Sequence, residues 1–160
     1  MKLAPRALPE LLAGRRIASV TGTNGKTTTT HFLTAAVRAG TPDSQRSVVT
    51  NADGANLYHG IVSALGQAPN ATIAVLETDE RVVADVVAMG SPEVLVLLNF
   101  SRDQLDRNHE LTFLGRDWRA ALEKAAEHGP TVVANACDPL IVWVCQKARH
   151  VIWVDTKPRW

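Results

Sequence analysis

The sequence predicts an α/β domain: a mostly parallel sheet of the phosphate-loop type, with helices on both faces. Three observations carry that expectation. Short apolar runs alternate with longer stretches of helical periodicity from Ile17 to Val154. Between the first run, Ile17 to Thr21, and the first long helical stretch lies the turn Gly22-Thr23-Asn24-Gly25, followed by Lys26-Thr27-Thr28. No repeat or low-complexity tract interrupts the alternation.

In chain order, Ala7 to Leu12 reads as a short helix or lead-in, and Gly14-Arg15-Arg16 turns it into the first strand. The helix after the glycine loop runs from Lys26 to about Ala39, with Phe32, Leu33, Ala36 and Val37 as its apolar face, and Gly40 and Pro42 stop it. Val48 to Thr50 is a brief strand. The turn-rich segment Asn51-Ala52-Asp53-Gly54-Ala55-Asn56 lies at its C-terminal end, the edge where ligands of open α/β sheets collect. Helix Leu57 to Leu65, strand Thr72 to Leu76, helix Arg81 to Met89, strand Val94 to Leu98 and loop Asn99 to Arg107 follow. An amphipathic helix over Phe113 to His128 turns Trp118, Ala121, Leu122 and Ala125 toward the sheet and breaks at Gly129-Pro130. Strand Thr131 to Ala134, a helix from Pro139 to about Ala148, and strand Val151 to Val154 complete the pattern.

Composition narrows the function classes. A chain of 160 residues is long enough for one sizeable core, and 17 Lys and Arg against 16 Asp and Glu give no electrostatic case for nucleic acid or an anionic membrane. No apolar run approaches the length of a transmembrane segment, and Met1 to Arg16 lacks the apolar core of a secretory signal, so a cytoplasmic protein is expected. Cys137 and Cys145 lie on what reads as one helix, at a spacing that suits neither a zinc site nor a redox pair, and are expected as buried free thiols. His31, His59, His109, His128 and His150 show no ligand spacing and are expected at the surface or behind a site.

The glycine loop carries the chemistry. Backbone amides of such a turn, with the N-terminus of the next helix, form a hollow for a polyphosphate. Lys26 would reach the β- and γ-phosphates, and the Thr27 hydroxyl would complete the shell of a bridging Mg²⁺. The general motif asks for a glycine where Val20 stands, so Gly22 must supply the flexibility instead. Glu77, a carboxylate at a strand end beside this loop, is placed as a metal ligand, although a helix-start carboxylate fits the same position. Asn135 and Asp138 also fit as caps of the helix that Pro139 opens.

Four stretches taken together resemble the central ATPase domain of the Mur ligase superfamily, which includes the peptidoglycan-building ligases and folylpolyglutamate synthase. They are Thr21 through Thr27, Asn51 through Asn56, Glu77 within Leu76-Glu77-Thr78-Asp79-Glu80, and Asn135-Ala136-Cys137-Asp138-Pro139. The absent first glycine is a feature of that superfamily's loop. The run Arg102-Asp103-Gln104-Leu105-Asp106-Arg107 is similar to that of MurT, the ligase-like subunit of lipid II isoglutaminyl synthases; most Mur ligases carry histidine where Gln104 stands. The resemblance extends from about Ile17 to Asp155 and divides the chain into a lead-in, residues 1–16, and a central ATP-binding domain, residues 17–160. A zinc ribbon and a C-terminal domain, expected of a MurT, are not in this sequence, so a fragment or a short relative is expected.

The resemblance implies ATP-dependent activation of a carboxylate as an acyl phosphate. In MurT the acceptor is the stem-peptide glutamate of lipid II, and a GatD glutaminase subunit supplies the ammonia. It assigns Gly22, Thr23, Asn24, Gly25, Lys26, Thr27 and Thr28 to the triphosphate of ATP, Thr27 and Glu77 to Mg²⁺, and the catalytic roles to Lys26 and Glu77. Asn135 and Asp138 would face the adenine or ribose, and Asn51 and Asn56 the γ-phosphate and acceptor. Asp103 and Asp106 would bind a ligand or hold their loop through Arg102 and Arg107. Two other readings stay open: a nucleotide-binding module without turnover, and a ligase that uses an amino acid as nucleophile, against which Gln104 argues. Trp153 and Trp160 near the end of the sequence suggest exposed apolar surface and self-association.

Overall fold

The computed structural model describes residues 6–41, 47–51, 54–100, 108–125 and 127–155. They form helices α1 (Ala7–Leu12), α2 (Lys26–Ala39), α3 (Tyr58–Gln67), α4 (Val83–Gly90), α5 (Asn108–Lys124) and α6 (Pro139–Cys145). Strands β1 (Arg16–Thr21), β2 (Val48–Thr50), β3 (Ile73–Glu77), β4 (Val94–Leu97), β5 (Thr131–Asn135) and β6 (His150–Val154) alternate with them. The six strands make one sheet in the order β2-β3-β1-β4-β5-β6, and every pairing is parallel. The predicted α/β class is therefore the observed one.

Register decides the two faces. Ile17 lies opposite Ala74, and Thr21 opposite Leu97, so the odd positions of β1 share a face with Ala74, Leu76, Leu95 and Leu97. That face holds the core. Leu8, Leu12, Ile61, Leu65 and Val86 pack against the β1–β3 half, and Val87, Leu114, Trp118, Leu122, Ile141 and Val144 against the β4–β5 half. Leu8 and Leu12 are almost wholly buried, so the lead-in helix α1 is part of this core. The guanidinium of Arg15 fastens it, donating to the carbonyl oxygens of Leu11, Ala68 and Ala71.

The opposite face carries α2, and here the structure departs from the sequence pattern. The buried residues of α2 are Thr30 and Thr34, while Phe32 is 74% exposed. Leu33, Ala36 and Val37 border an open groove of 310 Å³ with Ile73, Val75 and Val94 instead of closing on the sheet. Threonine tolerates burial because its hydroxyl finds a partner: Thr30 Oγ1 donates to Lys26 O at 2.8 Å, and Thr34 Oγ1 lies 3.5 Å from Thr50 Oγ1.

Two boundaries also move. Helix α5 spans Asn108 to Lys124, earlier at both ends than its apolar periodicity suggests, and a turn closed by His128 N–H on Ala125 O leads to Gly129-Pro130. Helix α6 stops at Cys145 because β6 already begins at His150, opposite Thr131. Cys137 is not on that helix; it sits exposed in the turn before it, while Cys145 is buried. The C-terminal ends of β1, β3 and β4 meet at the point where the strand order reverses, the position at which α/β sheets place their ligands.

Candidate active site

The site begins at the end of β1. Val20 is fully buried and pairs with Glu77 on one side and Val96 on the other. A strand interior occupies the place of the motif's first glycine, so valine fits there. Gly22 then leaves the strand at φ 140°, and a Cβ on it would lie 2.8 Å from Leu98 Cβ and 2.9 Å from Asn99 N. Only glycine lets the loop pass this close to the end of β4. Gly25, at φ 84°, caps α2.

Asn99, just after β4, holds the loop in place. Its backbone oxygen accepts from Thr23 N–H at 2.9 Å, its Oδ1 from Asn24 N–H at 2.9 Å, and its Nδ2 donates to Asn24 O at 3.0 Å. The Thr23 and Asn24 amides are therefore directed at Asn99. Further along, Thr29 N–H bonds to Gly25 O at 3.0 Å and begins the intrahelical ladder, so the amides of Lys26, Thr27 and Thr28 belong to the first turn, which has no intrahelical acceptor. The second half of the loop thus leads into the positive end of the α2 dipole.

Lys26 Nζ lies over the loop, donating to Gly22 O at 2.6 Å and Thr23 O at 3.3 Å, and pairs with Glu80 Oε1 at 3.3 Å. Glu77, at the end of β3, is 2% exposed. Asn56 Nδ2 donates to its Oε1 at 2.9 Å, and its Oε2 is buried with no hydrogen-bond partner among the described residues. Asn51 fixes the same residue through the backbone: its Oδ1 accepts from Glu77 N–H, and its Nδ2 donates to the carbonyls of Glu77 and Ala55. Both asparagines thus position Glu77, and Asn51 has no amide proton left for a ligand. Asp79 pairs with Arg81 at 2.9 Å. Burial pushes the Asp79 carboxyl upward, but the bonds from Arg81 and the Lys26 charge outweigh it and hold the group below its ordinary value.

A cavity of 280 Å³ opens beside the loop, lined by Asn24, Gly25 and Thr29 on one side and by Val96, Val133, Asn135 and Val154 on the other. Asn135 turns inward from there: its Nδ2 donates to Leu98 O at 2.8 Å and its Oδ1 accepts from Cys137 N–H. Asp138 caps α6, its Oδ1 accepting from the Leu140 and Ile141 amides, and its Oδ2 accepts from Phe100 N–H at 2.6 Å. Asn135 borders the cavity while Asp138 works as a cap and a tie between β4 and α6. Arg102, Asp103, Gln104, Asp106 and Arg107 lie outside the described residues, as do Ala52, Asp53 and Trp160.

These residues fit a magnesium nucleotide. A buried carboxylate oxygen without a partner is costly unless a cation or donor meets it, and among the described residues Glu77 Oε2 is such an atom, at the end of the strand beside the loop. The exposed Thr27 and Thr28 stand at the start of α2 on the same edge. Sequence reasoning missed Asn99 and Glu80. Asn99 carried the signal of an amide residue directly after a strand that ends level with the glycine loop, and Glu80 that of a further carboxylate in the run from Glu77.

Fold and loop together define a phosphate-loop α/β domain. Residues 20–157 match the profile of the Mur ligase middle domain, and the chain belongs to that family. It is 33% identical over 127 residues to the MurT subunit of lipid II isoglutaminyl synthase from Staphylococcus aureus (strain COL), covering 78% of this chain and 28% of that one. The MurT subunit of Streptococcus pneumoniae (strain ATCC BAA-255 / R6) is 35% identical over 137 residues, 83% of this chain and 29% of that one. The chain thus spans less than a third of the length of these relatives. The solved structure of UDP-N-acetylmuramoyl-L-alanyl-D-glutamate–2,6-diaminopimelate ligase superposes with a TM-score of 0.65 at 22% identity, covering 96% of this chain and 34% of that one, a likeness of fold. No helix among the described residues is long and apolar enough to cross a membrane.

Proposed function

We propose that this chain is the ATP-binding unit of a MurT-like ligase that activates the stem-peptide glutamate of lipid II, or of a related precursor, for amidation with ammonia from a GatD-like glutaminase. The observation that carries the nucleotide half of this reading is Glu77: a carboxylate buried at the end of β3, its Oε1 held by Asn56 and its Oε2 without a partner among the described residues. Identity to MurT chains over about four fifths of this sequence supports the amidation half.

Each residue has a task that its place permits. The amides at the mouth of α2 bind the phosphates, and Gly22 and Asn99 set the height of the loop above the sheet. Lys26 places an ammonium group beside the phosphates without forming a covalent bond. Glu77 and the Thr27 hydroxyl would hold Mg²⁺; Asn56 keeps the Glu77 carboxylate from turning away, and Asn51 fixes the backbone that carries it. The cavity between Asn24 and Val133 takes the base against apolar walls, with Asn135 at its rim. Bound there, Mg²⁺ and ATP supply a phosphoryl group whose charge is neutralised for attack by a carboxylate. What the chain itself provides is alignment and charge.

Calorimetric titration with a non-hydrolysable ATP analogue, with and without Mg²⁺, tests the reading. Mg²⁺-dependent binding that is lost in Glu77→Ala is the expected result. Equal affinity with and without the metal, or in the variant, would remove Glu77 from the metal site. For the amidation half, the protein that carries this chain, assayed with a GatD-like glutaminase, glutamine and ATP, is expected to convert the stem-peptide glutamate of lipid II to isoglutamine, and an unmodified precursor would count against that reading.

A further inference from the structure

Glu80 has no part in the assignments made so far, yet it is built into the site from two directions. In front, its Oε1 faces Lys26 Nζ at 3.3 Å, with only 17% and 13% of the two side chains exposed. Behind, its carbonyl oxygen accepts the Trp118 indole N–H at 2.8 Å. Trp118 is 1% exposed and lies against Phe100 with ring centroids 4.5 Å apart, so the backbone of Glu80 is anchored in the core. A carboxylate held in this way is not a wandering surface charge.

The Lys26 ammonium has three N–H donors and three acceptors within reach: Gly22 O at 2.6 Å, Thr23 O at 3.3 Å and Glu80 Oε1 at 3.3 Å. Any phosphate that Lys26 engages must displace at least one of them. Of the three, Glu80 alone carries a charge, and its displacement leaves it on the same edge of the sheet as Glu77.

We propose that Glu80 is the resident counter-ion of Lys26, a positioning residue that keeps the lysine folded over its own loop until a phosphate replaces the carboxylate. The exchange couples metal to nucleotide. A phosphate arriving alone must both break the Lys26–Glu80 pair and face the Glu77 and Glu80 carboxylates, whereas one arriving with a divalent cation brings compensating charge. Glu80 thereby selects for the metal-loaded nucleotide. This second consequence rests on the nucleotide reading above; the counter-ion role does not.

Glu80→Gln keeps the shape, and keeps the carbonyl that Trp118 bonds, but removes the charge. Two measurements separate the claims. In the nucleotide-free protein, labelling of Lys26 by an amine-acylating reagent, read by peptide mass spectrometry, is expected to run about fivefold faster in Glu80→Gln, the gain from losing an ion pair of roughly 1 kcal/mol. Glu80→Asp is expected to restore part of the protection. Titration with a non-hydrolysable ATP analogue without Mg²⁺ is expected to show tighter binding by Glu80→Gln than by wild type, and a smaller gain on adding the metal. Unchanged labelling of Lys26 in Glu80→Gln would overturn the counter-ion role. Faster labelling with an unaltered Mg²⁺ dependence would overturn the coupling. A wild-type chain that binds no nucleotide, with the labelling difference intact, would leave the counter-ion role standing and sink the nucleotide reading instead.

Discussion

Asn99 pairs with Asn24 as one strand pairs with another: its side-chain oxygen accepts from the Asn24 amide at 2.9 Å, and its side-chain nitrogen donates to the Asn24 carbonyl at 3.0 Å. A loop of glycine, threonine and asparagine has little side-chain packing of its own to fix it, so these two side-chain bonds, beside the one from Thr23 N–H to Asn99 O, help to set its shape. Asn99→Ala removes both. Each such bond is worth about 1 kcal/mol, and their loss falls on the loop more than on the core. Nucleotide affinity is expected to drop by about tenfold or more while the thermal midpoint moves by only a few degrees, as calorimetry and thermal melting would show. A large fall in stability with unaltered affinity would mean that Asn99 serves the fold rather than the loop.

Gly22→Ala tests the same loop from below. The added methyl group would sit 2.8 Å from Leu98 Cβ and 2.9 Å from Asn99 N, both fixed by the end of β4, at a φ of 140° that alanine avoids. Overpacking costs about 1–3 kcal/mol, and backbone strain adds about 1–3 kcal/mol. A variant that folds must lift the loop off β4. Reduced thermal stability together with lost nucleotide binding is the expected pair of outcomes, read in one melting series with and without the ATP analogue.

Lys26→Ala removes the ammonium group itself. A charge-assisted contact to a phosphate is worth about 1.5–3 kcal/mol, so affinity for the Mg²⁺-bound analogue is expected to fall by an order of magnitude or more. Unchanged affinity would remove Lys26 from the site.

The order of elements was legible because each strand is a short apolar run bounded by turn residues, and the glycine loop marks itself by Gly25-Lys26-Thr27 after a strand. The buried face of α2 was not legible. Periodicity pointed to Phe32 and Leu33, but Thr30 and Thr34 are the residues that bury, because their hydroxyls bond to Lys26 O and reach Thr50. Hydrophobicity alone cannot register a satisfied hydroxyl. In the same way Asn51 and Asn56 read as ligand-facing amides, and only the fold shows that both turn on Glu77. Glu80 escaped notice because its meaning lies in Trp118 and Lys26, which are remote from it in sequence.

The two cysteines, expected alike, are opposites. Cys145 is 1% exposed, and burial pushes its thiol up to about 12, whereas Cys137 is exposed in the turn before α6. A thiol-labelling reagent at neutral pH is therefore expected to modify Cys137 quickly and Cys145 only after denaturation. Stability should respond to alkali as well. The folded thiol titrates near 12 and the unfolded one near 9.0, so the contribution of Cys145 is complete below the lower value and falls away as pH rises toward the upper. Cys145→Ala should flatten that alkaline slope, and an unchanged slope would assign it to other groups.

Asp138 supplies the last test, because it joins two elements with one carboxylate. Oδ1 accepts from Leu140 and Ile141 at the start of α6, while Oδ2 accepts from Phe100 beyond β4. Asp138→Asn keeps an oxygen for the cap but offers an amide where Phe100 N–H needs an acceptor, so cap and tie can be separated. Asp138→Ala loses both, with about 1 kcal/mol for the cap and about 1–3 kcal/mol for the stranded amide. Denaturant titration is expected to rank wild type above Asp138→Asn and that above Asp138→Ala. Nucleotide affinity decides whether Asp138 also meets the ligand. If Asp138→Asn binds the ATP analogue as wild type does, the carboxylate belongs to the fold; a tenfold loss with stability largely kept would place it at the nucleotide.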